Sequence, residues 1–156
     1  MSTVRSRAYA RKRAAGTAVT AYRSGLEEKI AAQLEAAGFP VAFEQYKLKY
    51  EVPAREATYT PDFVLRNGII VESKGIFDVE DRKKHLLIRE QYPELDIRFV
   101  FSSSRAKLYK GSKTSYAEWC EKNGFQFADK LIPATWLREK ARPIPEGTLI
   151  AKGGGE

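Results

Sequence analysis

Residues 59–75 read YTPDFVLRNGIIVESKG, and the way this stretch pairs with itself decides the fold. Two short apolar runs flank Arg66-Asn67-Gly68, and Asn-Gly between β-rich runs is a strong hairpin signal. A two-residue loop at Asn67-Gly68 would set Asp62 against Ser73 and turn Glu72 to the other side. A three-residue loop, with Gly68 left-handed, pairs Leu65 with Ile69 and Asp62 with Glu72. Only the second register sorts the side chains. Phe63, Leu65, Ile69 and Val71 then share one face, and Asp62, Glu72 and Lys74 share the other. The three-residue loop is therefore the expectation, with two carboxylates and an ammonium together at the open end of the hairpin.

Carboxylates at directly opposed strand positions have Cβ atoms about 5 Å apart and repel unless a cation or proton intervenes. Hard oxygen donors at that spacing suit Mg²⁺, which keeps several waters and takes one or two carboxylates together with phosphate oxygens. Lys74 projects from the same face as Glu72, where an ammonium can hold an attacking water or offset charge growing on a phosphate. A plain surface charge cluster is the competing reading of the same residues.

Pro61-Asp62 followed by Glu72-Ser73-Lys74 resembles the PD-(D/E)xK signature of metal-dependent nucleases. The wider stretches YRSGLEEKI (22–30), 59–75, DRKKHLLIREQYPELDIRFVFSSSRAKLYKGSKTSY (81–116) and FADKLIPATW (127–136) resemble the endonuclease I family of short-tailed phages, resolvases of four-way DNA junctions. The resemblance runs from about residue 22 to 136; the first 20 or so residues and the segment after Leu137 do not match closely. It implies an α/β fold with a restriction-endonuclease-like mixed central sheet flanked by helices. It also implies Mg²⁺, with Mn²⁺ as substitute, at one or two ions per site. Asp62 and Glu72 would hold the metal, with the Ser73 backbone carbonyl as a further candidate. Glu27 would complete the site or hold a second ion, and Lys74 would orient the water. The partner implied is branched DNA, bound by an intertwined homodimer with composite sites, in which residues 46–58 bridge the subunits. The compartment implied is the cytoplasm of a host cell.

The 156 residues fit one domain, and the formal charge of +7 favours a polyanionic partner. A single cysteine, Cys120, excludes an internal disulfide, and no companion cysteines or histidines surround it for zinc. No apolar run approaches the roughly 18 residues of a membrane span. The composition therefore points to nucleic acid and away from membranes and disulfide scaffolds. A non-enzymatic basic DNA-binding protein remains the alternative to a nuclease.

Residues 1–23 carry Arg5, Arg7, Arg11, Lys12, Arg13 and Arg23 and no acid, which reads as a basic arm following phosphates. The nuclease domain then occupies 24–137. Residues 24–38 predict a helix, with Ser24 as N-cap, Leu26, Ile30 and Leu34 as an apolar stripe, and Gly38 at its end. Glu27 stands where a capping box needs a glutamate, so local pattern makes it a cap while the resemblance makes it a metal-site residue. The alternation across 41–50 changes phase, which predicts a bulge, bend or exit from one sheet. Residues 51–58 read as an irregular connector.

Residues 78–92 predict a helix and 97–101 a strand, giving a βαβ unit with parallel strands. Arg82, Lys83, Lys84 and Arg89 offer a basic helix face, with Lys83 and Lys84 placed against DNA. Residues 102–114 bring Arg105, Lys107, Lys110 and Lys113 among hydroxyls and a glycine, a composition that suits backbone phosphates. The run Gly111-Ser112-Lys113-Thr114 lacks the glycines of a P-loop. His85, the single histidine, is left out of the site as a structural or exposed residue. Ser115 with Glu118 predicts a capped helix closed by Gly124, with Tyr116 and Trp119 as core aromatics. Residues 125–128 predict a final strand, and 138–156, with Pro143, Pro145 and three terminal glycines, a loose tail.

Overall fold

The computed structural model describes residues 24–52 and 54–152. Its centre is a four-stranded mixed sheet in the order β3 (Phe63–Val64), β4 (Ile69–Lys74), β5 (Asp96–Phe101), β6 (Phe127–Asp129). Strands β4, β5 and β6 run parallel and β3 pairs antiparallel with β4. Helix α2 (Val79–Gln91), capped by the Asp78 side chain, connects β4 to β5 as the βαβ reading requires. Helix α1 (Gly25–Ala36) precedes the sheet; α3 (Tyr116–Asn123) and α4 (Ala134–Leu137) follow β5 and β6. The α/β class is thus as expected.

The hairpin takes the three-residue loop. Phe63 pairs with Val71 and Val64 with Ile70, a register that carries Leu65 to Ile69 and Asp62 to Glu72. Leu65 N–H donates to Ile69 O at 2.8 Å, and Gly68 is left-handed at φ 93. Phe63, Leu65, Ile69 and Val71 pack against Ile30, Ala31 and Leu34 of α1, with Ile132 and Trp136 alongside. The opposite face is not open. Val64 and Ile70 lie beneath Leu48, Tyr50 and Tyr59 and against Ile88 of α2. The site carboxylates therefore stand at the polar end of a covered face, because that face is apolar at its other end.

The phase change in 41–50 is an exit from one sheet. Phe43 makes an isolated bridge to Phe63 of the central sheet. Glu44 then adopts φ 54, and the chain enters a three-stranded sheet ordered β2 (Arg55–Tyr59), β1 (Tyr46–Val52), β7 (Ile150–Ala151). Strand β1 pairs antiparallel with β2, so residues 51–52 and 55–58 lie in strands rather than in the irregular connector expected, and the two strands fold back on one another within one chain.

The segment after Leu137 is not loose through 152. Strand β7 (Ile150–Ala151) pairs with Tyr46 and Lys47, and Ile144 and Leu149 join the core beneath β1. Buried Arg98 donates to both oxygens of Glu139 at 2.7 and 2.9 Å and to those of Asp96 at 2.9 and 2.7 Å. Arg142 N–H donates to Asn67 O, and Asn67 Nδ2 donates to Trp136 O. A Cβ on Gly68 would come within 2.1 Å of Arg142 O. Gly68 thus serves both the left-handed turn and the close passage of the tail. Apart from Arg98–Asp96, these anchors join residues more than 40 apart, which local composition does not reveal.

Candidate active site

Strand β4 ends at Lys74, and its last residues form the site with Asp62, which lies just ahead of β3. The Asp62 and Glu72 side chains are 2% and 4% exposed as residues and face one another across the hairpin. Glu72 Oε1 accepts from Tyr59 OH at 2.6 Å and from Asp62 N–H at 3.3 Å. Asp62 Oδ2 accepts from Ser73 N–H at 2.9 Å and from the Ser73 hydroxyl at 2.7 Å. Burial first, then the Glu72 and Glu27 carboxylates, hold Asp62 well above the usual carboxylate range. An acid raised by neighbouring acids marks a place where a cation would relieve the repulsion.

Lys74 Nζ lies 3.6 Å from Glu72 Oε2 and 3.1 Å from Asp81 Oδ1. Burial alone would lower the Lys74 pKa, but Glu72, Asp81 and Asp62 push it up, so the ammonium stays charged. Asp81 sits in the first turn of α2, where Asp78 fixes its N–H at 2.9 Å, and Lys84 Nζ approaches it at 3.9 Å. Neither Asp81 nor Tyr59 was legible as a site residue. Asp81 reads locally as an ordinary acid of a capped helix, and its reach to Lys74 is set by how α2 docks after β4. Tyr59 stands only three residues before Asp62, but its burial, and with it the phenol's need for an acceptor, is set by the fold.

His85 is fully buried between the rings of Tyr59 and Phe99, at 5.0 and 4.9 Å, and neither of its nitrogens has a partner among the described residues. Its placement is structural. Burial, then Lys84 and Lys74, hold it well below its ordinary pKa. The unfolded chain therefore takes up a proton below about pH 6.5 that the folded chain refuses, and stability should fall as pH drops through that range. His85→Phe should raise the denaturation midpoint by more at pH 5 than at pH 7.5. Equal gains at the two pH values would refute this account.

The donor set of Asp62 and Glu72 fits a hard divalent cation that keeps waters and takes phosphate oxygens. Among the described residues no three acidic, histidine or cysteine side chains gather into a metal cage. Glu27 is nevertheless buried at 6% exposure and near enough to raise Asp62. Its backbone N–H donates to the Ser24 hydroxyl at 3.2 Å, so its main chain serves the cap.

Residues 7–156 match the family model for phage endonuclease I. The chain is 61% identical over 136 residues to Endonuclease I of Escherichia phage T7, covering 87% of this chain and 91% of that one. It is 57% identical over 134 residues to Endodeoxyribonuclease 1 of Enterobacteria phage T3, covering 86% and 88%. The chain belongs to the phage endonuclease I family.

The family match extends beyond residues 22–136, into both the basic arm and the C-terminal segment. Arg5, Arg7, Arg11, Lys12, Arg13 and Arg23 lie outside the described residues. The other basic residues divide in this family member. Arg82 is buried and donates to Phe77 O at 2.6 Å, and Arg89 stacks 4.2 Å over the Phe125 ring, so both are structural. Lys83 is exposed, while Lys84 is half-buried over Tyr59. Arg105, Lys107, Lys110 and Lys113 are all exposed on the segment after β5, and Ser102 N–H donates to Lys74 O at 3.1 Å. The basic segment therefore begins beside the end of the strand that carries Glu72 and Lys74. No described helix is long and apolar enough to cross a membrane.

Proposed function

We propose that this endonuclease I family member is a metal-dependent endodeoxyribonuclease, built on a restriction-endonuclease-like core, that hydrolyses phosphodiesters at branched DNA, chiefly four-way junctions, in the host cytoplasm. The observation that carries the reading is the opposed Asp62–Glu72 pair with Lys74 at the end of β4, beside an exposed basic segment. The name of the phage T3 relative, Endodeoxyribonuclease 1, supports DNA as the substrate.

Asp62 and Glu72 would hold Mg²⁺ or Mn²⁺, with the Ser73 carbonyl as a further ligand and Glu27 toward a second ion. The bound ion would polarise the phosphoryl oxygen and favour a hydroxide nucleophile. Tyr59 and Ser73 fix the two carboxylates by donating to one oxygen of each, which limits their rotation when phosphate arrives. Lys74, charged between Glu72 and Asp81, lies where an ammonium can orient water and offset phosphate charge. The exposed cations of 105–113, and the basic arm, would follow the DNA backbone.

Two strands must be cut at a junction, which favours a two-fold dimer with two sites. The β1–β2 hairpin offers a means of exchange. It turns through Ala54 at φ 83, a left-handed conformation that costs a non-glycine residue about 1–3 kcal/mol. Opening there extends 46–58 into a bridge and re-forms the same pairings between two chains.

The reading is tested by titrating Mg²⁺ and Mn²⁺ against a labelled four-way junction, a mismatched duplex and a linear duplex. Cleavage should require the ion and favour the junction. Lys74→Ala should lose turnover while calorimetry still detects the metal. Junction binding without cleavage in either ion would instead establish a DNA-binding protein whose carboxylates only form salt bridges.

A further inference from the structure

The segment between β5 and α3 is a braced finger. Ser104 N–H and its hydroxyl donate to the two oxygens of Asp129 at 2.6 and 2.9 Å, fixing one foot to the end of β6. Tyr116 and Ala117 N–H groups donate back to Ala106 O and Ser104 O, fixing the other. Lys107 bridges Ser115, and Leu108 N–H donates to Thr114 O at 3.0 Å. At the tip Ser112 N–H donates to Tyr109 O at 2.9 Å, closing a turn in which Gly111 takes φ 89. The Ser112 hydroxyl accepts from Thr114 N–H at 3.0 Å and steadies the return.

This bracing sorts the side chains. Leu108 turns inward against the aromatic core of Phe77, Phe101 and Tyr116. Tyr109 stays 65% exposed, on the same segment as the exposed Arg105, Lys107, Lys110 and Lys113. The finger starts where Ser102 joins Lys74, and Phe77, three residues after Lys74, donates its N–H to Tyr116 OH at its far foot.

A large exposed ring on ordered backbone, in a segment that also carries four exposed cations and starts at the end of β4, suits a nucleobase better than a phosphate. Phosphates are met by the lysines, whereas an aromatic face is matched by the face of a base. In continuous duplex those faces are covered by neighbouring base pairs; at a bulge, mismatch or branch they are the least costly to expose. We infer that Tyr109 is a stacking platform for an unpaired base of the DNA substrate, and that it contributes selectivity for interrupted over continuous duplex. The inference rests on the endonuclease reading and adds to it a residue that senses structure.

The test uses a duplex with a two-nucleotide bulge carrying 2-aminopurine and a fully paired duplex of equal length, with wild type, Tyr109→Phe, Tyr109→Ala and Lys110→Ala. In EDTA, wild type and Tyr109→Phe should quench the bulged 2-aminopurine and Tyr109→Ala should not. In Mg²⁺, Tyr109→Ala should lower the ratio of bulged to paired cleavage by about tenfold, and Tyr109→Phe should keep it. Lys110→Ala should lower both rates and leave the ratio. A full ratio and full quenching in Tyr109→Ala would overturn the platform while leaving the nuclease intact. So would a Tyr109→Phe variant as impaired as Tyr109→Ala, since the hydroxyl rather than the ring would then matter. If wild type cut neither DNA, the nuclease reading would fall, and the quenching would still decide the platform.

Discussion

Asp62→Asn should abolish DNA cleavage, by about a thousandfold or more, and at the same time raise the melting temperature of the metal-free protein. The loss follows if Asp62 supplies half of the carboxylate pair that holds the ion, because several kcal/mol of charge stabilisation leave with it and each 1.4 kcal/mol is about tenfold in rate. The gain comes from the same residue. Burial, Glu72 and then Glu27 raise the Asp62 pKa in the folded state. Stability tied to that group is therefore fully present below about pH 3.9, and it is lost as pH rises through the raised folded value. As pH rises the metal-free protein thus loses stability to the repulsion of Asp62 by Glu72 and Glu27, which Lys74 and the Ser73 hydrogen bond only partly offset. Asparagine keeps the shape and still offers an oxygen to the Ser73 N–H and hydroxyl. A gain of about 1 kcal/mol would lift the melting point by roughly 2–4 °C. Mg²⁺ should then raise the wild-type melting temperature at pH 7 and leave that of Asp62→Asn unmoved. Junction binding should persist, or tighten at low salt, since one negative charge near phosphate has gone. Near-normal cleavage by Asp62→Asn would remove the metal assignment. A metal-free variant that melted lower than wild type would remove the repulsion argument.

The part of this site that the sequence reveals is the part governed by short-range rules. One of two hairpin registers put Phe63, Leu65, Ile69 and Val71 on a common face, and the chain adopts it. Caps at Ser24, Asp78 and Ser115 and the left-handed Gly124 are decided within a few residues of themselves. Even the exit at Glu44 showed, as a broken alternation. Strand β2 did not show, because Arg55, Glu56 and Thr58 have little apolar character and pair only because β1 lies beside them. The Arg98–Glu139 pair and the Asp81–Lys74 contact stayed hidden for a related reason. A charged residue acquires such a partner from packing, and nothing in its own neighbourhood names that partner.

Packing also bears on which chain completes each site. Glu27 lies before the β1–β2 hairpin, and Asp62, Glu72 and Lys74 lie after it. In the closed hairpin Glu27 acts on Asp62 of its own chain. If two chains exchange by opening at Ala54, each approach is re-formed between subunits with no new contact required, as in domain swapping generally. Co-expression of Glu27→Ala with Asp62→Ala, followed by purification of the mixed dimer through two different tags, separates the arrangements. With exchange, one site receives the intact Glu27 of one chain and the intact hairpin of the other, while the second site takes both lesions. The mixed dimer should then nick a single strand of a junction at about half the wild-type rate of first cleavage, and it should fail to make paired cuts. With each site built from one chain, every site carries a lesion, and the mixed dimer should nick no faster than either parent. That second outcome would refute the exchange and leave 46–58 as the intrachain hairpin seen in the fold.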